Sequence, residues 1–335
     1  VSQTFPREAC KPYAEGLVEV ATVPPLGQKD KTGVSRWWER LPAKPRKIYS
    51  QNEEDGIIMH IFQNVKPANK RYFEFGSENG TETNCRFLRQ MGWKGTNLDK
   101  DFQNPSIDLY KEMVTPQNIV DLLVKYKVPK DVDILSIDVE SYDLHIFRSV
   151  VVAGYRPRIV IVESNDNYGE ESILTFPSHK VLFHDWDRKC GQTCTHMCRD
   201  GSVKTSLCGA SVRGLTVVGA SAGYRPLYLN RVNLFLIRGD ILPADAAKNW
   251  TLEAVLKRSH TLGRRKLAFP REDCNRFGYD LAEAEPLPPS EEAIPLEQLL
   301  EAPITNSAKR QATVDRSEPV EGSVTAWLKA LAGAK

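Results

Sequence analysis

Six residues able to hold a proton, a hydroxyl or a cation, Glu74, Asp99, Asp138, Glu163, Asn165 and Asp166, stand where apolar runs of this 335-residue sequence stop. Glu74 lies near the end of YFEF, Asp99 ends GWKGTNLD, Asp138 ends VDILSID, and Glu163 to Asp166 follow IVIV. If those runs are neighbouring strands of an open α/β sheet, their carboxyl ends border the ligand crevice, and an acid after the second strand takes ribose hydroxyls. Such a set can bracket a nucleoside, remove a proton or hold a metal ion.

The stretch Arg71 to Leu98, RYFEFGSENGTETNCRFLRQMGWKGTNL, reads as strand, glycine turn and helix. Gly76 and Gly80 let the backbone approach a ligand with no Cβ in the way. A dinucleotide fold would need Gly-x-Gly-x-x-Gly to seat a pyrophosphate. Here Glu78 stands in place of the middle glycine, and its charge would face that pyrophosphate. S-adenosylmethionine suits the loop better, since its sulfonium and ammonium tolerate carboxylates. An ordinary strand-turn-helix corner without a ligand is the competing reading.

The elements that must position these residues alternate. Ile57, Ile58, Ile61, Phe62 and Val65 recur at helical spacing, with Glu54 and Asp55 at the favoured acidic start. Ser50 and Gln51 just before this helix lie where they could reach the methionyl end of the cofactor. A short third strand is expected around Ile107 to Tyr110. Thr115 and Pro116 read as N-cap and first residue of a helix running to Tyr126. VDILSID gives the fourth strand, Leu144 to Ala153 a helix, and Ile159 to Val162 the fifth strand. Another helix then leads to a closing pair, Tyr224 to Leu229 and Val232 to Ile237. The alternation predicts an α/β fold: a doubly wound, mostly parallel, seven-stranded sheet with helices on both faces.

Residues 1–47 read as an extended arm anchored by Trp37 and Trp38, which either pack on the core edge or cover a substrate mouth. The sheet domain spans 48–240 with a cysteine-rich insert at 184–208, and 241–335 is a Pro-, Glu- and Ala-rich extension expected to be partly disordered. The formal net charge of +2 gives no case for nucleic acid or an anionic membrane. No apolar run approaches the roughly 20 residues that span a bilayer. Val1 rather than Met stands first, which leaves room for an upstream leader or anchor removed before it.

Seven cysteines are present, and Cys190, Cys194, Cys198 and Cys208 cluster in the insert. The clustering favours the secretory lumen or the extracellular space, with the cytoplasm as alternative. Two disulfides pinning a lid are expected there; zinc on Cys190, Cys194 and Cys198 completed by Cys208, His184 or His196 is the second reading, although the Cys-x-x-Cys knuckle is missing. Of the sequons at Asn79 and Asn249, the first falls inside the proposed cofactor loop, where a glycan would block the site.

KIYSQNEEDGII, YFEFGSENGTETN, GWKGTNLD, VTPQNIVDLL, DILSIDVESYD, YRPRIVIVESN and GAS…GYRPLYLNRVNLFLIR follow one another from about Tyr49 to Asp240. In that order they resemble the blocks of the FkbM-like S-adenosylmethionine-dependent methyltransferases. The resemblance implies a Rossmann-like class I methyltransferase fold. It implies a cofactor-binding set of Glu74, Gly76, Ser77, Gly80, Asp99 and Asp138, with Asp99 on the ribose and Asp138 at the methyl-transfer centre. Its best understood members methylate hydroxyls of sugars or natural products. Ser141-Tyr142 stands where many relatives carry Gly after the fourth-strand acid, and the cysteine insert is outside the usual pattern.

Methyl transfer to a hydroxyl needs alignment and a base. Asp138, Asp143 and His145 on the fourth-strand rim are the candidates, against a packing or surface role for His145. Asp138 with Glu163 and Asn165 or Asp166 also offers oxygen ligands suited to Mg2+, against plain hydrogen bonding to loop backbone. The expected function is an O-methyltransferase acting on a carbohydrate or small-metabolite hydroxyl. A non-catalytic binding or trafficking module on the same fold is the alternative, and the oligomeric state stays open.

Overall fold

The computed structural model describes residues 36–41, 47–140, 142–171, 173–175, 195–197, 203–205, 209–230, 232–244, 246, 250–261 and 285–286. Seven strands form one sheet: β1 (Arg71–Phe75), β2 (Lys94–Asp99), β3 (Leu109–Lys111), β4 (Ile134–Ile137), β5 (Ile159–Glu163), β6 (Tyr224–Leu229) and β7 (Asn233–Arg238). Their spatial order is β3-β2-β1-β4-β5-β7-β6. β1 to β5 run parallel, and β7 is antiparallel to both β5 and β6. The chain builds outward from β1 to β3, then returns to lay β4 on the other side of β1. The switch point of this α/β sheet therefore falls between β1 and β4, where a crevice opens at the strands' carboxyl ends.

Period-two alternation divides the core between the two faces. Phe73, Phe75, Leu135, Ile137, Val160, Val162, Leu234 and Leu236 point to one face and pack under α3 (Ile119–Lys125), α4 (Asp143–Val152) and α5 (Val212–Ser221). Tyr72, Ile134, Ile159, Ile161, Phe235 and Ile237 point to the other, against Ile57, Ile58 and Ile61 of α1 (Glu54–Asn64). Trp37 and Trp38 belong to this second cluster and are almost fully covered, so they are packing anchors. The Arg258 guanidinium of α6 (Leu252–Thr261) donates to the Glu39 and Leu41 carbonyls and fastens their segment.

Two expected boundaries shift. Asn104 Oδ1 accepts the Ser106 N–H at 3.2 Å and caps a 3-10 turn over Pro105–Ile107, so β3 starts at Leu109. Thr115 and Asn118 exchange hydrogen bonds, the Thr115 N–H to Asn118 Oδ1 at 2.8 Å and the Asn118 N–H to Thr115 Oγ1 at 3.2 Å. That closed turn precedes the helix proper, which begins at Ile119 with Asn118 as its cap. Among the described residues no helix is long and apolar enough to cross a membrane. Cys190, Cys194, Cys198, Cys208 and His184 lie outside the described residues, as does the His196 side chain, and with them the disulfide and zinc readings. Cys85 is a buried free thiol.

Candidate active site

The glycine loop is held by carboxylates. Glu74, fourth residue of its strand and only 3% exposed, accepts the Asn84 N–H on Oε1 at 2.7 Å and the Cys85 N–H on Oε2 at 3.0 Å. It thereby ties the far end of the loop to β1, just ahead of α2 (Arg86–Gln90). Burial nevertheless pushes the Glu74 carboxyl up to about 7, against the pull of those two N–H donors. Ser77 donates its N–H to the Leu98 carbonyl at 3.2 Å and so lays the loop across β2. Asp99 collects three backbone donors: Glu78 N–H on Oδ2 at 2.8 Å, and Asp101 and Phe102 N–H on Oδ1 at 2.8 and 3.1 Å.

Gly76 explains why β1 must end in glycine. It sits at φ +67°, and a Cβ there would lie 1.5 Å from the Asp138 carbonyl oxygen. The ends of β1 and β4 are therefore in backbone contact at the switch point. Gly80, at φ +82°, would place a Cβ 2.3 Å from Ile107 Cδ1. Two glutamates, Glu78 at φ 44° and Glu140 at φ 68°, hold the left-handed conformation that disfavours side chains with a Cβ. Strain of this kind gathers at functional sites.

Around this contact lies a cavity of about 440 Å³, within the usual range for a small-molecule site. Its lining holds eight carboxyl-bearing residues, Glu74, Glu78, Glu82, Asp99, Asp101, Glu112, Asp138 and Glu140, against one lysine, Lys100. Lys100 is paired with Asp101 at 2.6 Å, while Glu112 is held low by Lys125 across the rim. Leu98, Phe102, Met113 and Val114 supply an apolar side. Phe102 and Met113 are two of only four large apolar side chains left exposed among the described residues.

On the β4 side, carboxylates face carboxylates. Oxygens of Asp138, Glu140 and Glu163 all lie within 4.8 Å of one another. Asp138 is pushed well above the usual carboxylate range, by burial first and then by Glu140, Asp143 and Glu74. Glu140 is raised as well, by desolvation of its carboxyl and by Glu78 across the cavity, although the residue as a whole is exposed. Asp143, fully buried, accepts the Val139 N–H at 2.8 Å and shapes the turn after β4. Asp143 and His145 are both buried on α4 and neither lines the cavity. Asn165 lies just past β5, its N–H donating to the Ala210 carbonyl at 2.8 Å. Ser50 turns inward to Asp55 at 2.8 Å, whereas Gln51 reaches the lining.

The structure thus brings Glu74, Gly76, Ser77, Asp99 and Asp138 to one cavity and leaves Asp143 and His145 behind it. Sequence reasoning passed over Glu140, Phe102, Met113 and Asn233, all in the lining. Asn233 had a signal: a polar residue directly ahead of the apolar run LFLI. Phe102 and Met113 sit in loops just past strand-end residues, where only the fold shows that they converge.

A mostly parallel seven-stranded sheet with a reversed last strand and a carboxylate-lined crevice at its switch point is a Rossmann-like class I methyltransferase fold. Residues 52–193 match the model of the methyltransferase FkbM domain, and over that stretch the chain is similar to it. No curated protein matches the chain significantly. The fold continues past the match through β6 and β7.

Proposed function

We propose that this chain is an S-adenosylmethionine-dependent O-methyltransferase whose acceptor is a hydroxyl of a carbohydrate or small metabolite. The observation that carries the cofactor assignment is the lining of the cavity: eight carboxyl groups, one lysine and a flanking apolar pair, Phe102 and Met113. That surface repels a pyrophosphate and complements a sulfonium and an ammonium. The Phe102–Met113 side offers flat apolar contact of the kind a purine takes. Asp99 keeps lone pairs to accept from ribose hydroxyls, a carboxylate having about four acceptor positions.

When bound, S-adenosylmethionine supplies a methyl carbon that the acceptor oxygen attacks in line, the carbon–sulfur bond breaking with its electron pair left on sulfur. The chain's own work is alignment and proton removal. Alignment of the reacting atoms supplies about 7 to 11 kcal/mol of such barriers. Asp138 takes the hydroxyl proton, because its carboxyl lines the cavity and its environment raises its proton affinity toward that of a useful base. Asp143 acts at one remove: by holding Val139 N–H it fixes the turn that presents Asp138 and Glu140.

The test is calorimetric titration with S-adenosylmethionine and, in parallel, NAD, followed by a radiolabelled methyl-transfer screen that starts with sugars. Saturable binding of S-adenosylmethionine, no binding of NAD and label transferred to a hydroxyl support the reading. A folded wild type that binds no S-adenosylmethionine would sink it and leave the binding-module alternative.

A further inference from the structure

Asn233 opens β7 directly opposite Glu163 of β5 in the antiparallel register. Directly opposed residues send their side chains to the same face of a sheet. Asn233 is 3% exposed and borders the same cavity as Asp138 and Glu140. Its amide nitrogen donates to Glu54 Oε1 at 2.8 Å, and the Asn230 amide donates to that same oxygen at 2.6 Å. Glu54 therefore decides which way the amide lies, since turning it over would set an oxygen against the carboxylate. The other end, Oδ1, is buried with no hydrogen-bond donor among the described residues.

A buried acceptor without a donor is costly, because its desolvation goes uncompensated. Glu163, its partner across the strand pair, belongs to a group of three carboxylates, with Asp138 and Glu140, whose oxygens lie within 4.8 Å of one another. A single hard cation relieves both. Ligands on opposite sides of a magnesium or calcium ion lie about 4 to 5 Å apart, so carboxylate oxygens spread over that span fit one coordination sphere. The donor set is all oxygen, without imidazole or thiolate, which favours magnesium, manganese or calcium over zinc.

We propose that Asp138, Glu140, Glu163 and the Oδ1 of Asn233 form a binding site for one divalent cation of the magnesium and manganese class, with Glu54 as the positioning residue that aims the amide oxygen at it. Ion binding stands on these residues alone; its role rests on the methyl-transfer reading, in which the cation would hold the acceptor oxygen and make its proton easier to lose. Ligation through one oxygen leaves Asp138 a second oxygen for that proton.

The experiment is Mn2+ binding to the full chain without any cofactor, read as loss of the free-ion electron paramagnetic resonance signal. One ion per chain, displaced by Mg2+, is expected. Glu140→Gln, at an exposed position, and Asn233→Leu should each weaken binding by about tenfold or more, and Glu54→Gln by roughly 10- to 100-fold through loss of orientation. Asn233→Asp alone would set an oxygen against Glu54, so it is combined with Glu54→Gln, whose amide can donate to it; this double variant should bind the ion more tightly than Asn233→Leu, a rescue that a merely structural asparagine would not show. Absence of Mn2+ binding to the folded wild type overturns the site, as does undiminished binding in folded Glu140→Gln or Asn233→Leu. S-adenosylmethionine titration of the same samples reads the cofactor assignment separately.

Discussion

The two banks of the cavity use the same residue types for opposite ends. On the β1–β2 bank, Glu74 and Asp99 give both their oxygens to backbone N–H groups of the glycine loop and of the turn after β2. On the β4–β5 bank, Asp138, Glu140 and Glu163 present oxygens to one another. A carboxylate whose two oxygens both hold backbone donors is a building part, because removing it strands several N–H groups at once. Carboxylates that face each other are poised to hold a proton or a cation. On the proposed reading, binding geometry belongs to the first bank and chemistry to the second.

The largest effect should come from breaking the second bank. Asp138→Asn removes the proposed proton acceptor and is expected to lower turnover about 10²- to 10⁴-fold while the cofactor dissociation constant stays close to wild type. Turnover left intact would dissolve the contrast between the banks. Next comes the point where they touch. Gly76→Ala drives a Cβ onto the Asp138 carbonyl and should cost about 4 kcal/mol or more in urea unfolding. Gly92→Ala is the control: Gly92 has φ +79°, but nothing lies within 4 Å of where the added methyl group would stand, so only the backbone cost, about 1 kcal/mol, is expected.

The fold was legible because the strands are short apolar runs ended by acids, and the alternation of Phe73 and Phe75 with Tyr72 already marks two buried faces. The first bank was legible for the same reason: Glu74, Gly76 and Asp99 fall at fixed places relative to strand ends. Asp143 and His145 were proposed from nearness in sequence to Asp138. A helix beginning at Asp143 turns both into the interior, a rotation that spacing alone does not fix. Asn233 and Glu140 were passed over for a different reason. The first acquires its meaning only from a strand pairing distant in sequence, Asn233 with Glu163, and the second only from a left-handed turn that carries it back over the cavity.

The pH dependence of stability sharpens the contrast further. Glu74 sits at about 7 in the folded protein against an ordinary 4.5, and Asp138 and Glu140 are displaced in the same direction. The folded state thus binds more protons than the unfolded state between those values. The stability that Glu74 contributes in this way is present in full below about 4.5 and is lost as pH rises through about 7, and that of Asp138 and Glu140 is likewise lost as pH rises. For Glu74 alone the loss is up to about 3 kcal/mol. Melting temperature should accordingly fall across this window, and Asp138→Asn should flatten the fall. A melting temperature that rises through the window, or a slope unchanged in Asp138→Asn, would mean that the β4–β5 carboxylates are not the proton-holding group that sets the second bank apart.

A smaller effect than that of Asp138→Asn belongs to Asp99→Asn. The amide oxygen can keep the Asp101 and Phe102 N–H groups, but its nitrogen then faces the Glu78 N–H, one broken contact worth about 1–3 kcal/mol. Because the lost contact is the one joining the glycine loop to β2, the loss should appear in binding. The expected pattern is a weaker S-adenosylmethionine dissociation constant with turnover at saturation nearly unchanged, the mirror image of Asp138→Asn. Measured side by side, the two substitutions divide the cavity by which constant each one moves. If Asp99→Asn lowered turnover at saturation as strongly as it weakened binding, the first bank would share in the chemistry, and the division between a loop-holding side and a proton-holding side would have to be given up.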